Sequence, residues 1–324
     1  MPKINYKKVT QKYGVLFILI AMCIVFSFLS PAFMSVSNIL NILNQTAIYG
    51  IMALGMTFVI IAKGIDISVG SVLALSGLVA ASLAQVPAQM KLYQNLPHLP
   101  LIIPILAGLL IGTLCGAANG ALVAFTGIPA FIATLGMQTV ARGFALIYSN
   151  ARPVSNLTPQ MNSIGSRVFG IPLPIIIYLF IFIISYILLN KTRFGKNTFA
   201  IGANITAAEV SGVAVKKNLV MIYAYCGLLA GLAAIVFAGR VGSVHPGAAD
   251  GYELTAIAST TIGGTSHSGG IGTIGGAVIG ALVLSVMRNG MTLMGFSPYS
   301  QKILEGLIIV GAVIIDMRKH AKKK

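Results

Sequence analysis

Carboxylates are the side chains most able to do chemistry in this chain, because only 6 acidic residues occur among 324. Glu305 lies midway along an apolar stretch, and Asp66 follows Lys63 by three residues where glycines interrupt another stretch. A carboxylate at membrane depth could couple transport to a proton or a sodium ion. For Asp66, a salt bridge to Lys63 or a position at a helix N-terminus is the simpler expectation. Glu305 stays open, with Arg142 and Arg288 as candidate partners.

The other reactive side chains predict neither a metal site nor an enzyme. The 4 histidines share no metal-ligand spacing, and the 3 cysteines lie singly within apolar runs. The sequence has no Ser-His-Asp arrangement and no Gly-x-Ser-x-Gly motif. The phosphate-binding pattern Gly-x-x-x-x-Gly-Lys-Ser/Thr is also missing from it. We therefore expect no cofactor in this chain, and we expect any ATP hydrolysis to occur on a separate subunit.

The composition is that of a membrane protein. Apolar residues make up 56% of the chain and charged residues 9%, against about 25% charged residues in soluble domains. So few charges cannot cover a soluble surface, and so apolar a chain is not disordered. The formal net charge of +16 does not indicate nucleic-acid binding, because the basic residues cluster at the termini and in one loop. The expected fold class is an all-α polytopic membrane protein.

Apolar runs of about 20 residues predict about ten transmembrane helices, within a range of about eight to ten. Clear candidates lie at 14–34, 39–62, 101–125, 130–149, 171–189, 218–239 and 298–316. Less regular candidates lie at 65–86, 252–266 and 271–288.

Lysine and arginine set the expected orientation of these spans. Basic residues crowd the N-terminal tail 1–13, the loop 190–217 and the C-terminal tail 317–324, so all three are expected in the cytoplasm. Both termini on one side require an even number of spans, which the predicted ten satisfy. Residues 14–316 are therefore expected to form one transmembrane domain with a cytoplasmic loop at 190–217.

Two glycine-rich polar segments interrupt the apolar pattern, one in each half of the chain. Such paired interruptions predict broken or re-entrant helices that line a transport pathway. The alternative is a pair of short polar loops at the membrane surface. The candidate pathway residues are Gly64, Asp66, Ser68, Gly70 and Ser71, then Gly263, Gly264, Thr265 and Ser266.

The loop 190–217 is long and semi-apolar. Asn204 or Thr206 can cap a short helix within it, Glu209 has the capping-box spacing from Thr206, and Gly212 can end that helix. A short capped helix on the cytoplasmic face suits docking into a groove of another protein, or else lies among lipid headgroups. The candidate coupling residues are Gly202, Asn204, Ala207, Ala208, Glu209, Ser211 and Gly212.

The outer segment 240–253 mixes both charge signs with glycine and proline. It is a candidate for contact with an external soluble protein, or else a solvated connector. The candidate docking residues are Arg240, His245, Asp250 and Glu253.

Several of these stretches resemble one family. Residues 64–71, GIDISVGS, resemble the GIDLSVGS motif of permease subunits from ribose/xylose/galactose-type (monosaccharide) ABC importers. Residues 129–136 and 200–212 are similar to that family's PxFIxTLG and AIGGNxxAAxxSGI patterns. Residues 251–270 are similar to GYELxAIAAxxIGGTSLxGG. The resemblance extends over about residues 39–316, and several motifs in the right order make it specific.

The resemblance implies a permease subunit in a bacterial cytoplasmic (plasma) membrane that moves a monosaccharide, a ribose-like pentose or a hexose, into the cell. Two permease copies would form the pore. A cytoplasmic ATP-binding subunit would bind ATP and magnesium, and its motion would enter through residues 207–212. An extracytoplasmic sugar-binding protein would deliver the sugar.

Other functions stay open on the residues. His245, Asp250 and His267 depart from the residues usual in the family, which weakens any choice of sugar. A nucleoside or another small polar solute is the alternative substrate. An ion-coupled secondary carrier using Glu305 or Asp66, or a membrane-embedded enzyme, would be a different class of protein.

Overall fold

The computed structural model describes residues 6–86, 92–93 and 96–321. Within these ranges the chain is mostly helical. The α-helices, in chain order, are α1 (Tyr6–Leu29), α2 (Val36–Ile61), α3 (Val69–Leu83), α4 (Ile102–Ala121), α5 (Ala130–Tyr148), α6 (Pro159–Asn162), α7 (Leu173–Lys191), α8 (Arg193–Ala203), α9 (Ile205–Val210), α10 (Val215–Val241), α11 (Tyr252–Ile262), α12 (Ile274–Leu293) and α13 (Pro298–Ala321).

Short elements complete the chain. A π-helical turn, Leu122–Thr126, extends α4, and a 3-10 turn follows α6 at Ser163–Gly165. Strands β1 (Arg167–Val168) and β2 (Ile171–Pro172) pair antiparallel, with Val168 opposite Ile171. Of the two predicted tails, residues 1–5 and 322–324 lie outside the described residues.

Each of the ten predicted spans falls on one helix, but they are not equally fit to cross a membrane. Among the described residues, 6 helices are long and apolar enough to span: α2, α4 with its π-helical extension, α5, α7, α10 and α12. Helix α11 has 11 residues and rises about 16 Å, roughly half of a hydrocarbon core. The helical membrane fold is thus confirmed, while the number ten stays a prediction.

Helices α2 and α10 form the centre of the bundle. In the most apolar 18 residues of α2, 89% are buried, against 22% in α5 and in α7. Leu54, Met56 and Phe58 of α2 are fully enclosed. The outer helices instead expose large apolar side chains such as Phe144 on α5 and Phe180 on α7. A soluble protein could not keep so much apolar surface in water, so these faces belong against lipid or another chain.

Glycines let α4 and α10 approach closely. Gly108, Gly112 and Gly116 repeat every fourth residue along one side of α4, and all three are buried. A Cβ atom on Gly112 would overlap the carbonyl oxygen of Gly227 in α10, and one on Gly227 would overlap that of Gly112. Small residues that allow backbone contact are the usual means of packing helices in lipid. The i, i+4 spacing therefore marks a helix–helix contact.

Candidate transport and coupling site

The first glycine-rich segment begins where α2 ends. Lys63 adopts a left-handed backbone (φ 67°), and the Gly64 amide donates to the Val59 carbonyl at 2.9 Å, which closes the helix. Residues 62–68 then turn the chain into α3, which begins at Val69. The chain is therefore not helical between Ile61 and Val69.

Asp66 is buried in this turn, with 1% of its surface exposed. Its Oδ1 atom accepts hydrogen bonds from the Ser68 amide at 2.9 Å and from the Ser68 hydroxyl at 2.6 Å. Asn119 of α4 donates to Ser68 Oγ at 2.9 Å. Among the described residues Asp66 forms no ion pair, so the expected salt bridge to Lys63 is wrong. Asp66 instead lies beside the N-terminus of α3, where amide dipoles favour a negative charge.

Other predicted pathway residues of this segment pack against neighbouring helices. Gly64 lies against the Tyr223 hydroxyl of α10, which donates to the Ile65 carbonyl at 3.4 Å. Gly70 lies against the carboxylate of Glu253, where a Cβ atom would overlap it. Ser71 is 1% exposed. These contacts place the segment inside the bundle.

The second glycine-rich segment, residues 263–273, connects α11 to α12. Thr265 and Ser266 are fully buried, and the Thr265 amide donates to the Thr260 carbonyl at 3.0 Å. Gly263 packs so closely on the Gly276 carbonyl that a Cβ atom would overlap it, whereas Gly264 has φ 89° and is exposed. Of the four predicted pathway residues, the two hydroxyl-bearing ones thus lie in the interior.

The predicted coupling segment forms two consecutive helices, α8 and α9. Asn204 caps α9, because its Oδ1 atom accepts from the Ala207 amide at 3.0 Å. Thr206 lies inside α9, so it is not the cap and the capping box from Thr206 to Glu209 does not form. Gly212 (φ 82°) ends the helix, with the Val213 amide bonded to the Ala208 carbonyl at 3.0 Å.

Most of the predicted coupling residues are exposed, either on α9 or at its two ends. Ala208 is buried and anchors the helix, and Gly202 is buried in α8. Val210 is 86% exposed, an apolar side chain on a short surface helix. The exposed members of the predicted set are Asn204, Ala207, Glu209, Ser211 and Gly212.

The outer segment between α10 and α11 is fastened, that is, held in place by hydrogen bonds to other parts of the chain. Val244 exchanges backbone hydrogen bonds with Val154 at 2.8 and 2.9 Å. Arg142 of α5 donates to the carbonyl oxygens of Pro246 and Ala248. A connector held on two sides can present a defined surface to a partner.

The four predicted docking residues divide between surface and interior. His245 and Asp250 are exposed, and Arg240 is partly exposed. Glu253 is 6% exposed and accepts from Gln138 Nε2 of α5 at 3.3 Å. Because its carboxylate faces Gly70, Glu253 does not belong to an external docking surface, and its inclusion among the docking residues is corrected.

Glu305 pairs with Arg288 of α12, one of its two candidate partners. Arg288 Nη2 donates to Glu305 Oε1 at 2.6 Å, and Thr255 of α11 donates to the same oxygen at 2.7 Å. The guanidinium also lies over the Tyr49 ring of α2, 4.7 Å from its centroid. The other candidate, Arg142, binds the outer segment instead.

Sequence reasoning missed Asn119, Tyr49 and Thr255. Asn119 is a lone amide in the apolar run of α4, and a polar side chain there is a usable indication of a buried contact. Tyr49 and Thr255 carry no comparable local indication, because their partners lie on other helices far along the chain. Such pairs are visible only once the helices are packed.

Comparison with known proteins finds one family model, described as branched-chain amino acid transport system / permease component, which matches residues 38–313. The ribose import permease protein of Escherichia coli (strain K12) is 40% identical over 307 residues, 93% of this chain and 92% of that protein. That of Bacillus subtilis (strain 168) is 40% identical over 322 residues, 98% and 97% of the two chains. The galactose/methyl galactoside import permease protein of E. coli is 37% identical over 330 residues, 99% and 97%. No solved structure matches significantly.

Proposed function

Because this chain belongs to the family of transport-system permease components, we propose that it is the membrane subunit of an ATP-driven importer that moves a monosaccharide into the cell. Similarity to permeases named for sugars, over nearly the whole chain, supports this proposal most strongly. The subunit is a transport component rather than an enzyme. ATP and magnesium are expected on a partner ATP-binding subunit.

Ribose or a similar pentose or hexose is the proposed substrate. The family description refers to branched-chain amino acids, but the relatives at 36–41% identity are named for ribose, D-allose and galactose import. Identity of this level over more than nine-tenths of both chains weighs more than the broad family description. A nucleoside or another small polar solute is the alternative.

The proposed topology has about ten membrane segments and both termini in the cytoplasm of a bacterium. The basic loop that carries α8 and α9 supports this orientation, because Lys191, Lys196 and Lys217 are exposed there. Helices α3 and α11 are too short to cross the membrane alone and are proposed to enter it together with the glycine-rich segments. The pathway would pass these segments.

Three partners follow from this function. The exposed, capped α9 supports docking of a cytoplasmic ATPase. The fastened outer segment, with His245 and Asp250 exposed, supports docking of an extracytoplasmic sugar-binding protein. A second copy of the chain would cover exposed apolar faces such as those of α5 and α13, where Phe144 and Leu307 point outward.

Transport would proceed by alternating access. Asp66, Ser68, Thr265 and Ser266 are buried in this conformation and would meet the sugar only after the helices around them separate. Hydroxyl and carboxylate groups of this kind can replace the hydrogen bonds that a sugar leaves in water. Affinity would come largely from the binding protein, and the permease would supply the passage.

Co-purification followed by reconstitution tests the proposal. The tagged chain is extracted from native membranes in mild detergent, and the eluate is placed in liposomes with ATP, magnesium and the candidate sugar-binding protein. We expect a co-purifying ATPase and uptake of labelled ribose that unlabelled xylose or galactose, but not leucine or adenosine, reduces. Competition by adenosine alone would favour the nucleoside alternative. Uptake by the chain alone, driven by a proton or sodium gradient, would refute the ATP-driven mechanism.

A further inference from the structure

Three parts of the chain meet at the C-terminal end of α2. The Gly270 amide, in the second glycine-rich segment, donates to the Ile61 carbonyl at 2.8 Å. Gly202, in the last turn of α8, packs on that same carbonyl, and a Cβ atom on Gly202 would overlap it and lie 2.6 Å from the Gly270 nitrogen. This backbone contact therefore has no room for any side chain at position 202.

The turn that carries Gly270 also reaches the first glycine-rich segment. Gly269 and Gly270 have φ of 82° and 70°, a conformation that favours glycine. A Cβ atom on Gly269 would lie 3.0 Å from that of Lys63, and one on Gly270 would lie 3.1 Å from the Cα of Ala203. Lys63 lies at the start of the first segment, so one turn contacts that segment, α2 and α8.

The coupling segment leads directly into this contact. Ala203 ends α8 and Asn204 caps α9, with the Asn204 amide bonded to the Ala200 carbonyl at 3.0 Å. No flexible connection separates the two helices. Since the contact consists of backbone atoms rather than adaptable side chains, a displacement of α9 must shift Gly202 against Ile61 or carry α2 along.

We infer that Gly202 and Gly270 are positioning residues that transmit the motion of α9 to both glycine-rich segments through the Ile61 carbonyl. This inference rests on the proposed function. It assigns a path for coupling that runs from α9 into the interior of the bundle. Binding of the ATPase and transmission of its motion would then depend on different residues.

Substitution of the two glycines in the reconstituted complex tests this path. We expect Gly202→Ala and Gly270→Ala complexes to retain the ATPase and its hydrolysis rate, while sugar uptake per ATP hydrolysed falls about tenfold. Gly295→Ala is the matched control, because Gly295 also has a positive φ (78°) and a Cβ atom there would meet nothing within 4 Å. It should keep the wild-type ratio.

If the Gly202→Ala chain fails to assemble with the ATPase, the Gly270→Ala chain alone tests whether this contact transmits motion, since Gly270 lies outside the coupling segment. A wild-type ratio of uptake to hydrolysis with Gly270→Ala would overturn the inference. Loss of the ATPase or of folded protein with Gly270→Ala would overturn it too, because the residue would then have a structural role only. Failure of the proposed function is a separate outcome, in which the wild-type complex itself shows no ATP-dependent uptake.

Discussion

Two buried carboxylates of this chain are stabilised in different ways. Glu305 on α13 has a full positive charge opposite it, the guanidinium of Arg288 on α12. Asp66 is bound instead by neutral donors, the amide and hydroxyl of Ser68, beside the N-terminus of α3. The first arrangement joins three separate helices, α11, α12 and α13, whereas the second shapes a turn within one stretch of chain.

The two arrangements serve different parts of the molecule. Helix α13 exposes Ile303 and Leu307 on its outer face, so the Glu305 ion pair is a main polar link to α11 and α12. Asp66 lies among enclosed residues, and its hydrogen bonds define how the first glycine-rich segment enters α3. Loss of Glu305 should therefore loosen a helix, and loss of Asp66 should deform a turn.

Among the substitutions that test these two arrangements, removal of Arg288 should cause the largest loss in the free energy of unfolding. In Arg288→Met, Glu305 is left as a buried charge without its partner, and we expect a loss of about 3–5 kcal/mol in the free energy of unfolding. Denaturant unfolding of the purified chain in detergent measures it. The double variant Arg288→Met with Glu305→Leu should regain most of the loss, because no unpaired charge remains. A double variant no more stable than the single one would contradict the pairing.

Asp66→Ala should have the next largest effect. It removes the acceptor of two buried hydrogen bonds from Ser68, at a cost of about 2 kcal/mol in the free energy of unfolding. Asp66→Asn keeps an oxygen in the same place and should cost less than half as much. A transport assay provides a second measurement, and we expect Asp66→Asn to retain ATP-driven uptake. Abolished uptake in a folded Asp66→Asn protein would indicate that the carboxylate itself is needed.

The sequence predicts the helical membrane fold well, because runs of apolar residues are a local property. It also predicts the end of α9 at Gly212 and narrows its cap to Asn204 or Thr206, since these residues act on neighbouring backbone. It fails where the partner is distant. The local rule that paired Asp66 with Lys63 missed Asn119, which is distant in the chain. It also missed the nearby Ser68, because burial favoured neutral donors over an exposed lysine.

Exposure is the second property that residue types alone do not settle. Glu253 occurs in a polar, mixed-charge stretch and looks like a surface residue, yet its carboxylate lies against Gly70 and Gln138. The polar residues that remain outside, such as His245 and Asp250, have the same local composition around them. What distinguishes the buried Glu253 from these exposed residues is its contact with α3 and α5.

Thr255→Val should weaken the Glu305 arrangement without breaking its ion pair. The Thr255 hydroxyl lies 2.7 Å from both Arg288 Nη2 and Glu305 Oε1, so its loss removes hydrogen bonds but no charge. We expect a loss of about 1 kcal/mol in the free energy of unfolding. Thr255→Ser retains the hydroxyl and serves as control. A loss as large as that of Arg288→Met would mean that the hydroxyl, rather than the charge, holds α13.

Lys302→Met should have the smallest effect and isolates the contribution of burial. Lys302 lies on the same helix as Glu305 and is 3.9 Å from Asp250, but these two side chains are 72% and 75% exposed. Water and salt screen such a pair, so we expect a loss below about 0.5 kcal/mol, in unfolding experiments identical to those for Arg288→Met. A loss near that of Arg288→Met would show that charge pairing to α13 matters wherever it occurs. A small loss for Lys302→Met beside a large loss for Arg288→Met would show that the Arg288–Glu305 pair stabilises α13 because it is enclosed by apolar helices.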